Sequence, residues 1–195
     1  MTGEPGTAAL LAAAEAFALP CYTQPWRTYH NAEHVRAVLQ ALASREVLTP
    51  ALALAAWGHD LIYDPHAPDN EARSAEVFGR WLEAQGADAA LVREVTALIL
   101  ATRHTSPPET RAEALLVDAD LGILGAEAPA FAAYDRAIRQ EYAFVPDAEY
   151  RRGRARVLRG FLERERIYTT PEFAALEERA RANLTAALGR LEGPA

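Results

Sequence analysis

The sequence predicts an all-α fold, one compact helical domain over 1–195 with its core at about 8–191. Three observations lead there. Apolar residues recur at three- and four-residue spacing along most of the chain. Capping residues and first-turn prolines stand ahead of those periodic segments. Alternating β-branched runs are absent.

The elements follow in order. Residues 8–18 are Ala-rich and should stop at Pro20. Asn31 can cap a helix over about 32–46, with Val35, Val38, Leu39 and Leu42 on one face. Thr49-Pro50 places a cap and a first-turn proline before 50–62. Asp69 or Asn70 can start 70–85, which Gly86 ends. Asp88 can start 89–103, striped by Leu91, Val95, Leu98, Ile99 and Thr102. Further helices are expected over 112–124, 129–141 and 147–165. Thr170-Pro171 repeats the cap-plus-proline device before 171–191, where Phe173, Leu176, Ala180, Leu184 and Leu188 form the stripe. Met1 to Gly6 and Glu192 to Ala195 should fray.

Composition excludes several function classes. The formal net charge is −7, which argues against a broad surface for a nucleic-acid polymer. A small phosphorylated ligand is not excluded, because a metal and a few arginines can neutralise it locally. All 20 basic residues are Arg, so Schiff-base and phosphate-loop lysine mechanisms fall away. One cysteine, Cys21, cannot form an internal disulfide, which suits a reducing cytoplasm. The apolar stretch 8–19 is short and contains Glu15, so it reads as a helix and not as a signal peptide. No apolar run is long enough to span a membrane. The oligomeric state is open, a dimer included.

The chemistry-bearing residues cluster in three segments. Tyr29-His30-Asn31-Ala32-Glu33-His34 sets two histidines four apart, on one face if a helix includes both. Gly58-His59-Asp60 closes an apolar run, where side chains of a terminating helix can fan toward one ion. Leu115 to Leu121 places Asp118 and Asp120 within an apolar segment, and burying an unpaired carboxylate is expensive. Two imidazoles and two carboxylates suit Mn²⁺, Fe²⁺, Zn²⁺ or Co²⁺ and leave positions for water and substrate. Mg²⁺ also remains among the divalent ions that the sequence allows.

The order His34, His59-Asp60, Asp120 resembles the HD superfamily of metal-dependent phosphohydrolases. Tyr29-His30-Asn31 followed by His34 also looks like the first motif of the cyclic-nucleotide phosphodiesterases within it. More closely, WRTYHNAEHV, HDLIYDP, DNEARSAE, LVDADLGILG and the tail from Tyr134 to Leu184 resemble a bacterial family of small predicted HD phosphohydrolases. That resemblance runs from Trp26 to Leu184. It implies that His34, His59, Asp60 and Asp120 hold a divalent metal, with Asp118 orienting a ligand or capping its helix. His30 would protonate the leaving oxygen, and Asp64 or Glu71 would contact the attacking water or the substrate. Arg27, Asn70, Arg73 and His104 are candidate substrate contacts; Arg103, Arg139 and Arg154 are further arginines to weigh.

The implied reaction is hydrolysis of a small phosphorylated molecule, a nucleotide by preference, through metal-activated water. Two alternatives belong to other classes. One is a nucleotide-sensing metal-binding module without turnover. The other is an HD-type di-iron oxygenase, which ranks lower because only His66 and His104 lie between the doublet and Asp120.

Overall fold

The computed structural model describes residues 6–193. Among them every regular element is helical, as the sequence predicts. The chain divides into two compact units, one up to Ala119 and one from Asp120.

The first unit contains α1 (Thr7–Tyr22), α2 (Ala32–Ala43), α3 (Pro50–Gly58), α4 (Asn70–Ala84), α5 (Ala89–Ala101) and all but the last residue of α6 (Arg111–Asp120). Helix α3 is its centre and packs against α1, α2, α4 and α5. Every residue from Ala51 to Gly58 is buried, which fits a helix apolar on all sides. Gly58 permits this. A Cβ there would lie 2.6 Å from Ile99 Cδ1 on α5 and 2.8 Å from Phe78 Cδ1 on α4. The two residues that follow this close approach are His59 and Asp60.

Sequence capping signals act as expected at three helix starts. The Asn31 side chain accepts from Glu33 and His34 N–H, Thr49 from Leu52 N–H, and Asp88 from Ala90 and Leu91 N–H. Asp69 precedes α4 without a side-chain cap bond. Gly86 follows α4 with φ 78°, a conformation that glycine adopts without steric cost. Helix α1 departs from expectation: it runs through Pro20 to Tyr22. Pro20 sits in the last turn, and burial of Tyr22 at 1% exposure offsets the lost backbone bond. Helix α2 ends at Ala43, α3 at Gly58 and α5 at Ala101, each short of the predicted limit. Left-handed residues Glu46 (φ 58°) and His104 (φ 57°) follow α2 and α5.

The second unit holds a 3-10 helix (Leu121–Gly125), α7 (Ala128–Glu141), α8 (Asp147–Leu162), a second 3-10 helix (Ala174–Leu176) and α9 (Glu177–Glu192). Helix α9 packs on α8 and on both 3-10 segments. The start predicted at Pro171 is corrected to Glu177. The Glu177 carboxylate turns back to accept from Ile167 and Tyr168 N–H, so 167–173 is a folded-back connection that enters α9 through the second 3-10 helix. Leu121–Gly125, expected to extend α6 as α-helix, tightens to 3-10. Asn183 fixes it by donating to Leu124 and Ala126 carbonyls at 2.8 and 2.9 Å.

Among the described residues no helix is long and apolar enough to cross a membrane. Of the ends expected to fray, Met1–Pro5 and Pro194–Ala195 lie outside the described residues. Gly6 caps α1, and α9 extends to Glu192.

Candidate metal centre

His34 is placed in the first turn of α2 by the Asn31 cap, and His59 is the C-cap of α3. Their Nε2 atoms lie 3.1 Å apart. Asp60 Oδ2 is 3.1 Å from His59 Nε2 and 3.7 Å from His34 Nε2. His59 Nδ1 lies 2.9 Å from the Ala56 carbonyl. A carbonyl can only accept, so Nδ1 carries the proton and the neutral ring accepts through the lone pair of Nε2. That lone pair faces Asp60 Oδ2, a buried oxygen with no hydrogen-bond partner of good geometry among the described residues.

Acceptors facing one another at this range need positive charge between them, from a proton or a cation. The spacings suit a cation. Adjacent ligands about 2.1 Å from one first-row ion stand roughly 3.0–3.4 Å apart. His34, His59 and Asp120 form a group whose ligand atoms all lie within 4.8 Å of one another, and it could hold a metal ion. Asp120 is the final residue of α6 and is carried by that helix. It joins the group where fully buried Asp118 does not. Asp60 falls outside that trio and instead touches both imidazoles.

Electrostatics follow from this crowding. Burial alone would raise the Asp60 carboxyl, but the positive charge that His59, His30 and His34 carry when protonated outweighs it and holds the group well below the usual carboxylate range. The Tyr22 hydroxyl donates to the Trp57 carbonyl at 3.0 Å and accepts from Asp60 N–H at 3.2 Å. Burial, then the Asp60 charge, push this phenol well above its usual value. Tyr22 therefore stays a protonated brace on the end of α3.

The remaining predicted residues separate into two sets. His30 stays at the site: its ring stacks on Tyr63 at 4.3 Å and lies 6.0 Å from the His34 ring. Glu71 is half-buried in the first turn of α4, and among the described residues nothing engages its carboxylate. Arg27 is a correction. Its guanidinium donates to the carbonyls of Asp60 (2.6 Å), Leu61 (2.9 Å) and His30 (3.3 Å) and to Gln24 Oε1 (3.0 Å), at 5% exposure. It ties the His30 loop to the His59-Asp60 turn and does not offer a phosphate fork.

Asn70 is a second correction. Its amide donates to the Asp64 and Ala67 carbonyls and accepts from Asp64 N–H, so both ends close the 64–67 loop. Asp64 accepts from His66 N–H and shapes the same loop. Arg73 is exposed on α4, 4.0 Å from Asp69, and His104 occupies the left-handed turn after α5. Arg154 pairs with Asp135, and Arg139 donates to Tyr142 and Val145 carbonyls. Arg103 is exposed. Sequence reasoning missed Ser74, whose buried hydroxyl accepts from Ile62 N–H and donates to its carbonyl. Tyr22 also went unnoticed; its only signal was an aromatic beside a proline-bearing helix end.

No family model, curated protein or solved structure matches this chain.

Proposed function

We propose that the chain is a divalent-metal-dependent phosphohydrolase of the HD type, acting on a small phosphorylated molecule of the nucleotide class. The observation that carries this reading is the face-to-face approach of His34 and His59 Nε2 at 3.1 Å, with the orphaned Asp60 oxygen against them. His34, His59 and Asp120 would hold the ion, and Asp60 would complete or orient the set. A divalent ion there supplies Lewis-acid polarisation of a phosphoryl oxygen and acidifies water at neutral pH.

The chain's own residues supply the rest. The Ala56 carbonyl fixes the His59 tautomer with Nε2 as donor atom. Arg27 and Tyr22 hold the backbone that aims Asp60. His30, steadied by the Tyr63 ring, protonates the leaving oxygen. Glu71 would contact the attacking water or the substrate; Asp64 acts on loop shape. No serine, cysteine or lysine nucleophile is required.

The test is a phosphate-release screen of nucleotides and phosphoesters with Mn²⁺, Mg²⁺, Zn²⁺ and Co²⁺, beside His59→Ala. Release with at least one ion, absent in the variant, is expected. Silence across the panel, or equal release from His59→Ala, rejects the reading.

A further inference from the structure

The second unit carries twelve arginines and twelve carboxylates, so the formal charge of −7 resides in the first. Within this balanced unit the arginines are not evenly spread. A groove of about 260 Å³ is lined by one turn from each of three helices. Helix α7 contributes Asp135, Arg136 and Arg139; α8 contributes Asp147, Tyr150 and Arg151; α9 contributes Arg190 beside Ala187 and Leu191.

The two aspartates among these four arginines leave the lining with a net positive charge. Asp135 Oδ1 is held by Arg154 at 3.2 Å from behind the lining, and Oδ2 is 3.7 Å from Arg190. Asp147 is largely exposed and 3.7 Å from Arg139. Arg139 is fixed by the Tyr142 and Val145 carbonyls and lies 4.5 Å over the Tyr150 ring. One Arg151 nitrogen caps the end of α9 through the Arg190 and Gly193 carbonyls, leaving its other N–H groups available. Among the described residues nothing engages the Arg136 guanidinium, and Arg190 is more than half exposed.

We propose that this groove is an anion-binding site for a small tetrahedral dianion, a phosphate group. Arginine forks match phosphate oxygens. Arg136, Arg151 and Arg190 approach from three helices, and three directions suit a tetrahedral oxyanion better than a planar carboxylate. The volume lies just below the ~300–1,000 Å³ of sites for drug-sized ligands, which favours a phosphate with little attached. The proposal concerns α7, α8 and α9 alone and does not depend on the metal centre.

Calorimetric titration of the full chain with inorganic phosphate, in chloride buffer without added divalent ion, tests it. One site is expected. Affinity should fall roughly tenfold or more in Arg136→Glu and in Arg190→Glu, and stay unchanged in His59→Ala. Acetate should bind at least tenfold more weakly. Arg156→Glu, exposed on α8 outside the groove, should bind as the wild type does. No heat with the wild type overturns the proposal. So does unaltered affinity in both groove variants, an equal loss in Arg156→Glu, or loss in His59→Ala.

Discussion

Arginine does opposite work in two regions. Beside the His59-Asp60 turn, Arg27 is 5% exposed and four of its N–H groups meet oxygens of the chain itself. Along the α7–α9 groove, nothing among the described residues engages the exposed Arg136 guanidinium, and Arg190 is more than half exposed with only Asp135 Oδ2 beside it at 3.7 Å. The difference is one of satisfied against unsatisfied donors. A buried guanidinium with four of its five N–H groups engaged fixes backbone and has no pair of donors left to grip an anion. An exposed one contributes little to stability and keeps its fork for an anion.

The largest expected effect tests whether the Arg27 scaffold frames a metal site at all. His59→Ala removes one of the two Nε2 donors that face each other at 3.1 Å. Metal content by elemental analysis should drop to a small fraction of wild type, and phosphate release should vanish with it. Full metal retention would mean that the scaffold frames something else.

The next effect is smaller and separates ligation from proton transfer. His30→Ala should cut turnover by about 10²–10⁴-fold while metal content stays near wild type. The loss should shrink for nitrophenyl esters, whose leaving group needs little protonation. Equal loss on both substrates, or loss of metal, would move His30 into an orienting or ligating role.

Sequence gave access to these residues unevenly, for physical reasons. Local signals were legible: Asn31, Thr49 and Asp88 cap the helices they precede, because a cap bond reaches only two or three residues. The His34, His59 and Asp120 convergence was legible through spacing and resemblance. Partner choice was not. Arg27 and Asn70 read as ligand contacts, yet both serve carbonyls. For Arg27 two of those carbonyls lie 33 and 34 residues away, and only the folded path of 58–62 turns them inward. The same limit misplaced the α9 start. Thr170-Pro171 carries a local helix signal, but Glu177 binds back to Ile167 and Tyr168 N–H and fixes another path.

Arg27→Met sharpens the comparison in energetic terms. It leaves the Asp60 and Leu61 carbonyls and the Gln24 amide without their donor. Loss of buried hydrogen bonds to a charged group should destabilise by roughly 3 kcal/mol or more in urea unfolding. Arg190→Met, the matched change in the groove, should stay within about 0.5 kcal/mol. Similar values for the two would erase the distinction between scaffold and open arginine.

The smallest effect concerns a carboxylate that behaves like Arg27 with the sign reversed. Glu177 accepts from Ile167 N–H at 3.0 Å and Tyr168 N–H at 3.1 Å and pairs with Arg181 Nε at 2.7 Å. Burial tends to raise its pKa, but the two backbone donors and Arg181 outweigh it and lower the group below the usual glutamate value. The folded state thus binds its proton less readily than the unfolded chain, whose glutamates titrate near about 4.3. Stability from this group is fully present above that pH and is lost as pH falls through the lower folded value. Glu177→Gln keeps the shape and one acceptor but removes the charge. It should cost about 1 kcal/mol at pH 7, discounted for partial exposure. The gap between variant and wild type should narrow in urea unfolding repeated toward pH 3, because the wild-type carboxylate is then being protonated. A gap independent of pH would show that Glu177 acts through packing and not through charge-assisted bonds to the 167–168 backbone.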